Sequence, residues 1–88
     1  MTTVDSWPVE ISLHEEDGKT RAEARLTKDG ADMIGHGLAR RNPDDPDVTQ
    51  IGEEIAAARA LSDLAHQLLS AAAGQIEGIT HEGAHLSL

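Results

Sequence analysis

The fold of this chain is decided by residues 19–41, which read KTRAEARLTKDGADMIGHGLARR. In the first part, Ala22, Ala24 and Leu26 alternate with charged residues, which is typical of a β-strand with one buried face. Asp29-Gly30 is a hairpin turn signal that separates this strand from a second alternating segment. The stretch therefore predicts two neighbouring antiparallel strands.

The second alternating segment is unusual because Gly35 and Gly37 fall on one of its faces. Glycine inside a strand marks a bulge or the close approach of another backbone. We expect this face to lie under a helix, and it consists of Met33, Gly35, Gly37 and Ala39. We expect the opposite face to be partly exposed or in an interface, and it consists of Ile34, His36 and Leu38.

Upstream of these segments, the chain reads WPVEISLHEE from residue 7, with apolar residues at alternate positions. This pattern predicts a half-buried strand. Its expected inward-facing residues are Trp7, Val9, Ile11 and Leu13. Asp17-Gly18 is a further hairpin signal. The predicted strands form a meander at about 7–16, 19–28 and 32–41.

The next part of the chain predicts a loop at 42–47 and then one long helix at about 48–77. Asp47 is the predicted N-cap, and Gln50 would complete a capping box. Gly52 and Gly74 leave open whether the helix is continuous. The whole chain, residues 1–88, is thus predicted to be a single α+β domain: a three-stranded antiparallel meander followed by one helix packed on one face.

The orientation of the helix is predicted from its apolar and polar residues. The apolar stripe consists of Val48, Ile51, Ile55, Leu61, Leu64, Leu68, Leu69 and Ile76. The expected solvent side consists of Glu53, Asp63, Gln67 and Ser70. Arg59 and Asp63 have the spacing of an ion pair on the helix surface.

The predicted helix is too long for its own sheet, which favours self-association. It would measure roughly 45 Å, against about 25–30 Å for strands of this length. A second copy of the chain is the simplest cover for the overhang, so we expect a homodimer. The candidate dimer contacts are Leu68, Leu69, Ile76, Ile79 and Leu86. A short tail at 78–88 follows, which could add a strand to the sheet.

The composition agrees with a small protein of modest core. With one Trp, no Phe and no Tyr among 88 residues, the core must be built from aliphatic side chains. The net charge of −9 is uneven, because residues 43–88 hold one Arg against eight acidic residues. This balance opposes non-specific binding to DNA or RNA, which depends on Lys and Arg at phosphates.

Other classes of protein are excluded by what the sequence lacks. Without cysteine there are no disulfides, no Cys-based zinc sites and no thiol nucleophiles. The first residues do not resemble a secretory signal, and no apolar run reaches the roughly 18 residues of a membrane span. We expect a cytoplasmic protein with no membrane partner and no cofactor.

One motif at the end of the chain resembles a catalytic site. His81-Glu82-Gly83-Ala84-His85 matches H-E-x-x-H, in which a helix aligns two histidines on zinc beside a general base. Here the segment follows Gly78 and contains Gly83, so it is a poor helix, and no spacing favours a third ligand. We therefore predict no metal site and no catalytic residue, and a metallohydrolase is only a remote alternative.

A second candidate site is basic. Arg21, Arg25, Arg40 and Arg41 would form a strip on the open face of the sheet. The alternative is that these arginines serve only cross-strand pairing with Glu10 and Glu23. Gly35-His36-Gly37, in contrast, lacks the rest of a nucleotide-binding loop and is best explained by packing.

These motifs together resemble a family of small actinobacterial proteins of unknown function with a double-stranded-RNA-binding-domain-like fold. The similarity covers roughly residues 7–86. Its most specific segments are Thr20-Arg21-Ala22, Gly35-His36-Gly37-Leu38-Ala39-Arg40, Asn42-Pro43, Ile51-Gly52-Glu53-Glu54 and Ala58-Arg59-Ala60-Leu61-Ser62-Asp63-Leu64. The resemblance implies a β-β-β-α homodimer, and it makes Thr80 and His81 the family feature of the tail and His85 incidental.

The resemblance also implies a role in stress or dormancy, with ribosome hibernation suggested for the family from shape. The acidic segment before the helix would repel phosphates, so we do not expect double-stranded RNA binding in the standard mode. Our leading hypothesis is a non-enzymatic, ribosome-associated binding protein. The alternative is an acidic adaptor that binds a basic protein.

Overall fold

The computed structural model describes residues 3–42, 44, 48–80 and 86. The strands and the helix are β1 (Val9–Glu16), β2 (Lys19–Lys28), β3 (Ala31–Arg40) and α1 (Thr49–Thr80). The strands form one antiparallel sheet in the order β1-β2-β3, and α1 packs on one of its faces. The predicted α+β meander followed by one helix is confirmed.

Two tight turns join the strands, and both are Asp-Gly as predicted. Asp17 and Gly18 have φ angles of 51° and 73°, and Asp29 and Gly30 have 52° and 76°. Positive φ at both central positions gives a turn whose twist matches the strands of a hairpin, and Asp and Gly tolerate it best. The hairpins therefore fix the register of the sheet locally.

The glycines of β3 allow α1 to touch the sheet with its backbone. A Cβ at Gly37 would clash with the Ala56 carbonyl and lie 2.5 Å from the Ala60 nitrogen. A Cβ at Gly35 would lie 2.6 Å from the Leu64 nitrogen. The prediction that the small-residue face of β3 lies under the helix is confirmed.

The core lies between β2, β3 and this face of α1. Its buried hydrophobic residues, among those described, are Ala22, Ala24, Leu26, Ala39, Ala56, Ala60 and Leu64. Most of them are alanines, because the close helix–sheet distance leaves no room for larger side chains. The core is thin for a chain of 88 residues.

The predicted orientation of α1 is wrong in part. Leu64 is buried, but Ile51, Ile55 and Leu61 are exposed by 54%, 41% and 42%. Asp63 and Gln67, predicted to face solvent, are half-buried against β3. The glycines of β3 select the alanine face of the helix for contact, and this outweighs the larger apolar side chains elsewhere on α1.

The predicted burial of the first strand is also wrong. Val9, Ile11 and Leu13 face the α1 side of the sheet, but they are 44%, 39% and 38% exposed. The reason is that α1 lies over β2 and β3 and barely touches β1. Trp7 precedes β1, where the Lys28 ammonium lies 4.5 Å from the centre of its ring.

The helix is continuous through Gly52 and Gly74, which answers the question that the sequence left open. Its 32 residues correspond to about 48 Å, and the longest dimension of the molecule is 52 Å. The end of α1 overhangs the sheet, as expected. The predicted N-cap Asp47 lies outside the described residues, and the Gln50 amide donates instead to Glu54 at 3.0 Å.

The outer edge of β3 is hydrogen-bonded by polar side chains of α1. The His36 N–H donates to Asp63 Oδ2 at 2.8 Å. Arg59 donates to the Leu38 carbonyl at 2.6 Å, and Gln67 donates to the Ile34 carbonyl at 2.7 Å. The predicted Arg59–Asp63 ion pair is therefore wrong, since each side chain hydrogen-bonds to the backbone of β3 instead. We call this hydrogen-bonded edge the capped edge.

Candidate functional site

The face of the sheet opposite α1 is open, and we call it the outer face. Because Ala22, Ala24 and Leu26 point towards α1, the residues between them point away from it. The charged and histidine side chains of the outer face are Glu10, His14, Glu16, Lys19, Arg21, Glu23, Arg25, Asp32, His36 and Arg40. No described element covers this face, so it is the natural place for a binding site.

Three cations gather at one end of the outer face. Lys19 lies directly opposite Arg40 on β3, and Arg21 is the next outward-facing residue along β2. We call Lys19, Arg21 and Arg40 the basic cluster. None of the three forms an ion pair with another described residue. Glu16 of β1 lies opposite Lys19 on its other side without forming an ion pair, so Arg21 and Arg40 carry most of the positive charge that the described part of the chain leaves available.

Arg25, the remaining arginine of the strands, behaves differently. Arg25 lies opposite Glu10 in the register, but its resolved ion pair is with Asp32, at 3.9 Å and half exposed. Glu23 lies opposite Ser12 and His36 and not opposite an arginine. Simple cross-strand neutralisation by Glu10 and Glu23 thus does not account for Arg21.

Two histidines border the basic cluster, and neither was among the site residues predicted from the sequence. A shallow depression of about 470 Å³ on the outer face is lined in part by His14, Arg21 and His36. Lys19 was also missed. The signal was available in principle, because the Asp-Gly turns set the register that brings these residues together.

Arg41 belongs to a different part of the surface. It follows β3, its N–H donates to the Gly18 carbonyl at 2.8 Å, and it lines a cavity of about 270 Å³ at the start of α1. Val48 and Ile51 line the same cavity. The structure thus brings Arg21 and Arg40 together, with Arg25 further along the same face, and places Arg41 beside the helix.

The residues predicted as dimer contacts occupy mixed positions. Leu68 packs against the core of its own chain, and Leu69 is half-buried. Ile76, Ile79 and Leu86 are exposed by 41%, 79% and 39%. Exposed apolar surface is present at the end of α1, as predicted, and equally along β1.

The H-E-x-x-H segment, residues 81–85, lies outside the described residues, as do 87 and 88 of the predicted tail. Residues 78–80 belong to α1. Within the described residues, no three His, Asp or Glu side chains are grouped as metal ligands would be. In the same part of the chain, no helix combines the length and apolar character that crossing a bilayer requires.

The fold and the outer face define a small α+β protein in which one sheet face is covered by a single helix and the other is free. Residues 5–85 match the Rv2632c-like family, and the chain belongs to that family. It is 48% identical over 80 residues to uncharacterized protein MT1780 of Mycobacterium tuberculosis strain CDC 1551, covering 91% of this chain and 85% of the relative.

A second relative extends this comparison to a solved structure. Uncharacterized protein Rv2632c of Mycobacterium tuberculosis strain H37Rv is 50% identical over 74 residues, which cover 84% of this chain and 80% of the relative. The crystal structure of Rv2632c matches with a TM-score of 0.84 at 46% identity, covering 92% of this chain and 96% of that one. The names of these relatives state no enzymatic activity.

Proposed function

We propose that this chain is a non-enzymatic, homodimeric binding protein of the cytoplasm, active in stress or dormancy, whose basic cluster contacts phosphates of the ribosome. The observation that carries the proposal is the juxtaposition of Lys19 and Arg40, with Arg21 beside them. Like charges directly opposite each other destabilise a sheet. A polyanion that neutralises them would remove this cost, so the arrangement favours a phosphate-bearing partner.

The distribution of charge supports a local site in preference to general affinity for nucleic acid. The chain carries −9 overall, so the long-range field repels polyanions. Binding would therefore require close contact at the basic cluster. The ribosome as the partner, and a likeness to double-stranded-RNA-binding domains, rest on the family resemblance; we expect no binding to DNA and no standard binding to double-stranded RNA.

The test is co-sedimentation of the purified protein with ribosomes of its own host, at low and near-physiological salt. We expect saturable binding that survives moderate salt. Arg21→Glu should weaken binding on the order of tenfold, because a phosphate contact is replaced by repulsion. Lys28→Glu is the matched control: it makes the same charge change beside Trp7, on the other side of the sheet, and should retain binding.

The possible outcomes test the location of the binding site and the identity of the partner separately. Binding that is equally weakened by both variants would mean that only net charge matters, and the basic cluster would be the wrong site. Absence of sedimentation of the wild-type protein at either salt would contradict the ribosome proposal and favour an adaptor that binds a basic protein. Stoichiometric zinc that is lost in His81→Ala would instead revive the metallohydrolase alternative.

A further inference from the structure

The free edge of β1 has hydrogen-bonding groups that point out of the sheet. The Thr27 N–H donates to the Pro8 carbonyl at 3.3 Å, which identifies Pro8 and Thr27 as a hydrogen-bonded pair. Since such pairs alternate along an antiparallel ladder, even-numbered residues of β1 bond to β2. The backbone groups that point outward belong to the odd-numbered residues, which are Val9, Ile11, Leu13 and Glu15.

This edge lacks the protection that the capped edge has. Within the described residues, no side-chain hydrogen bond reaches the backbone of β1, whereas three reach β3. Charged side chains, Lys above all, and Pro commonly block a strand edge. Val9–Glu16 contains no Lys and no Pro, and its central residues Ile11, Ser12 and Leu13 carry no charge. An unprotected edge of this kind is a template for the addition of a strand.

The side chains of the same residues are apolar and exposed. Val9, Ile11 and Leu13 lie on the α1 side of the sheet, but α1 does not cover them. A partner that pairs with the β1 backbone would also place side chains against this surface. Both features therefore indicate the same kind of occupant, which is an extended strand with apolar residues at alternate positions.

We propose that the occupant is β1 of a second copy, paired antiparallel so that two sheets become one of six strands. The inference rests on the homodimer part of the proposed function and does not depend on the ribosome. Outward backbone groups of odd-numbered residues must pair with those of odd-numbered residues in the other copy. This parity places both α1 helices on one face of the joined sheet and both outer faces on the other.

Avoidance of like charges, together with a Glu10–His14 pairing, selects the register. With the two-fold axis at Ser12, Glu10 lies opposite His14 of the second copy, and Ile11 lies opposite Leu13 of the second copy. Centring the pair on Glu10 would oppose two Glu10 side chains, and centring it on Leu13 would oppose Glu10 to Glu16. Like charges in directly opposite positions are unfavourable. Centring on Ile11 avoids that clash but loses the Glu10–His14 pairs.

The first test uses a disulfide, because the chain contains no cysteine. In this register Ser12 meets its own copy as a non-hydrogen-bonded pair, with Cα atoms about 4.5 Å apart, which is within disulfide range. Ser12→Cys should form a covalent dimer under mild oxidation. Ser62→Cys, at an exposed position on α1, is the control and should remain monomeric on denaturing gels. Equal cross-linking of the two variants, or none at Ser12, would contradict the register.

The second test distinguishes the β1 edge from the end of α1. Ile11→Lys and Ile76→Lys replace isoleucines of matched exposure, 39% and 41%. Measured by light scattering after size exclusion, Ile11→Lys should raise the dimer dissociation constant at least tenfold, and Ile76→Lys should leave it unchanged. The reverse result would reject the β1 interface but retain the homodimer. A monomeric wild-type protein would reject both, whatever ribosome sedimentation shows.

Hydrogen exchange keeps the proposal testable if Ile11→Lys fails to fold. In the wild-type protein, the amide of Ser12 or His14 should be protected at every concentration, because it bonds to β2. The amides of Ile11 and Leu13 should become protected only as the concentration rises and β1 pairs with its copy. Fast exchange of these two amides in a demonstrated dimer would show that the copies meet elsewhere.

Discussion

The two edges of the sheet differ in how their backbone groups are satisfied. At the capped edge, Arg59, Asp63 and Gln67 supply a donor or an acceptor to β3 at 2.6–2.8 Å. At the β1 edge the described residues supply none, and the adjacent apolar side chains are exposed. The cause is the position of α1, which lies over β2 and β3 because only there do glycines admit it. The packing of α1 on β2 and β3 therefore satisfies backbone groups of the β3 edge and leaves the β1 edge without such partners.

The largest effect should come from filling the space that positions α1. Gly37→Val would place a side chain against the Ala56 carbonyl and the Ala60 nitrogen, which cannot move independently of the helix. We expect a loss of more than about 4 kcal/mol in the free energy of unfolding, sufficient to abolish cooperative unfolding in urea. If α1 no longer packs on β3, its side chains cannot hydrogen-bond to the β3 edge, and the two edges of the sheet would then be equally unprotected.

Gly30→Ala is the control for this substitution. Gly30 has a φ of 76° but nothing within 4 Å of an added Cβ. The cost should be limited to backbone strain, on the order of 1 kcal/mol. A comparable loss at both glycines would mean that the close approach of α1 to β3 is not what requires glycine.

Two leucines compare the covered and the uncovered part of the α1 side of the sheet. Leu64→Ala removes a side chain that is 4% exposed, and should cost about 2–4 kcal/mol through lost contacts and a cavity. Leu13→Ala removes one that is 38% exposed, and should cost less than about 1.5 kcal/mol in dilute solution. Urea unfolding at two protein concentrations would refine the comparison, since pairing of β1 would increase the cost at Leu13 as concentration rises.

The capped edge can be opened by one substitution. Asp63→Ala removes the acceptor for the His36 N–H at 2.8 Å and for Gln67 at 3.2 Å. We expect a loss of about 1–3 kcal/mol, because an ionised acceptor is lost and an amide at the edge is released. Thermal unfolding measures the loss, and amide exchange at His36 should accelerate.

Asp63→Asn is the matched control, because it keeps an acceptor oxygen and loses only the charge. It should retain most of the stability and most of the protection of the His36 amide. If the Ala and Asn variants were equally unstable, the contribution of Asp63 would be electrostatic and the capped edge would need another explanation.

The smallest effect should be on the outer face. Arg25→Gln breaks an ion pair of 3.9 Å between side chains that are 50% and 47% exposed, and such pairs contribute at most a few tenths of a kcal/mol. The melting temperature should therefore hardly change. A large decrease would mean that the outer face supports the fold, and substitutions in the basic cluster could then not be interpreted as binding effects.

Much of this architecture was predictable from local pattern. Alternation in β2, the Asp-Gly turns and the small residues of β3 gave the meander and the side that receives the helix. The rotation of α1 was mispredicted because Ile51, Ile55 and Leu61 are more hydrophobic than alanine. Their bulk is what excludes them from contact with Gly35 and Gly37.

The capped edge and the basic cluster were harder to foresee because they depend on distant parts of the chain. The hydrogen bonds to β3 join residues separated by 21, 27 and 33 positions, which no periodicity reveals. Lys19 joins Arg21 and Arg40 only through the register between β2 and β3. Arg21, Arg25 and Arg40 were identified because each ends or alternates along a predicted strand.

The capped edge also sets the valency of the molecule. A sheet with two unprotected edges could pair with another copy at each edge, and successive copies could then extend it without limit into a filament. With Arg59, Asp63 and Gln67 hydrogen-bonded to β3, only the β1 edge is left open to pairing, so the proposed pairing would end at a dimer. Three polar side chains of one helix would thus separate the proposed closed dimer from open-ended polymerisation.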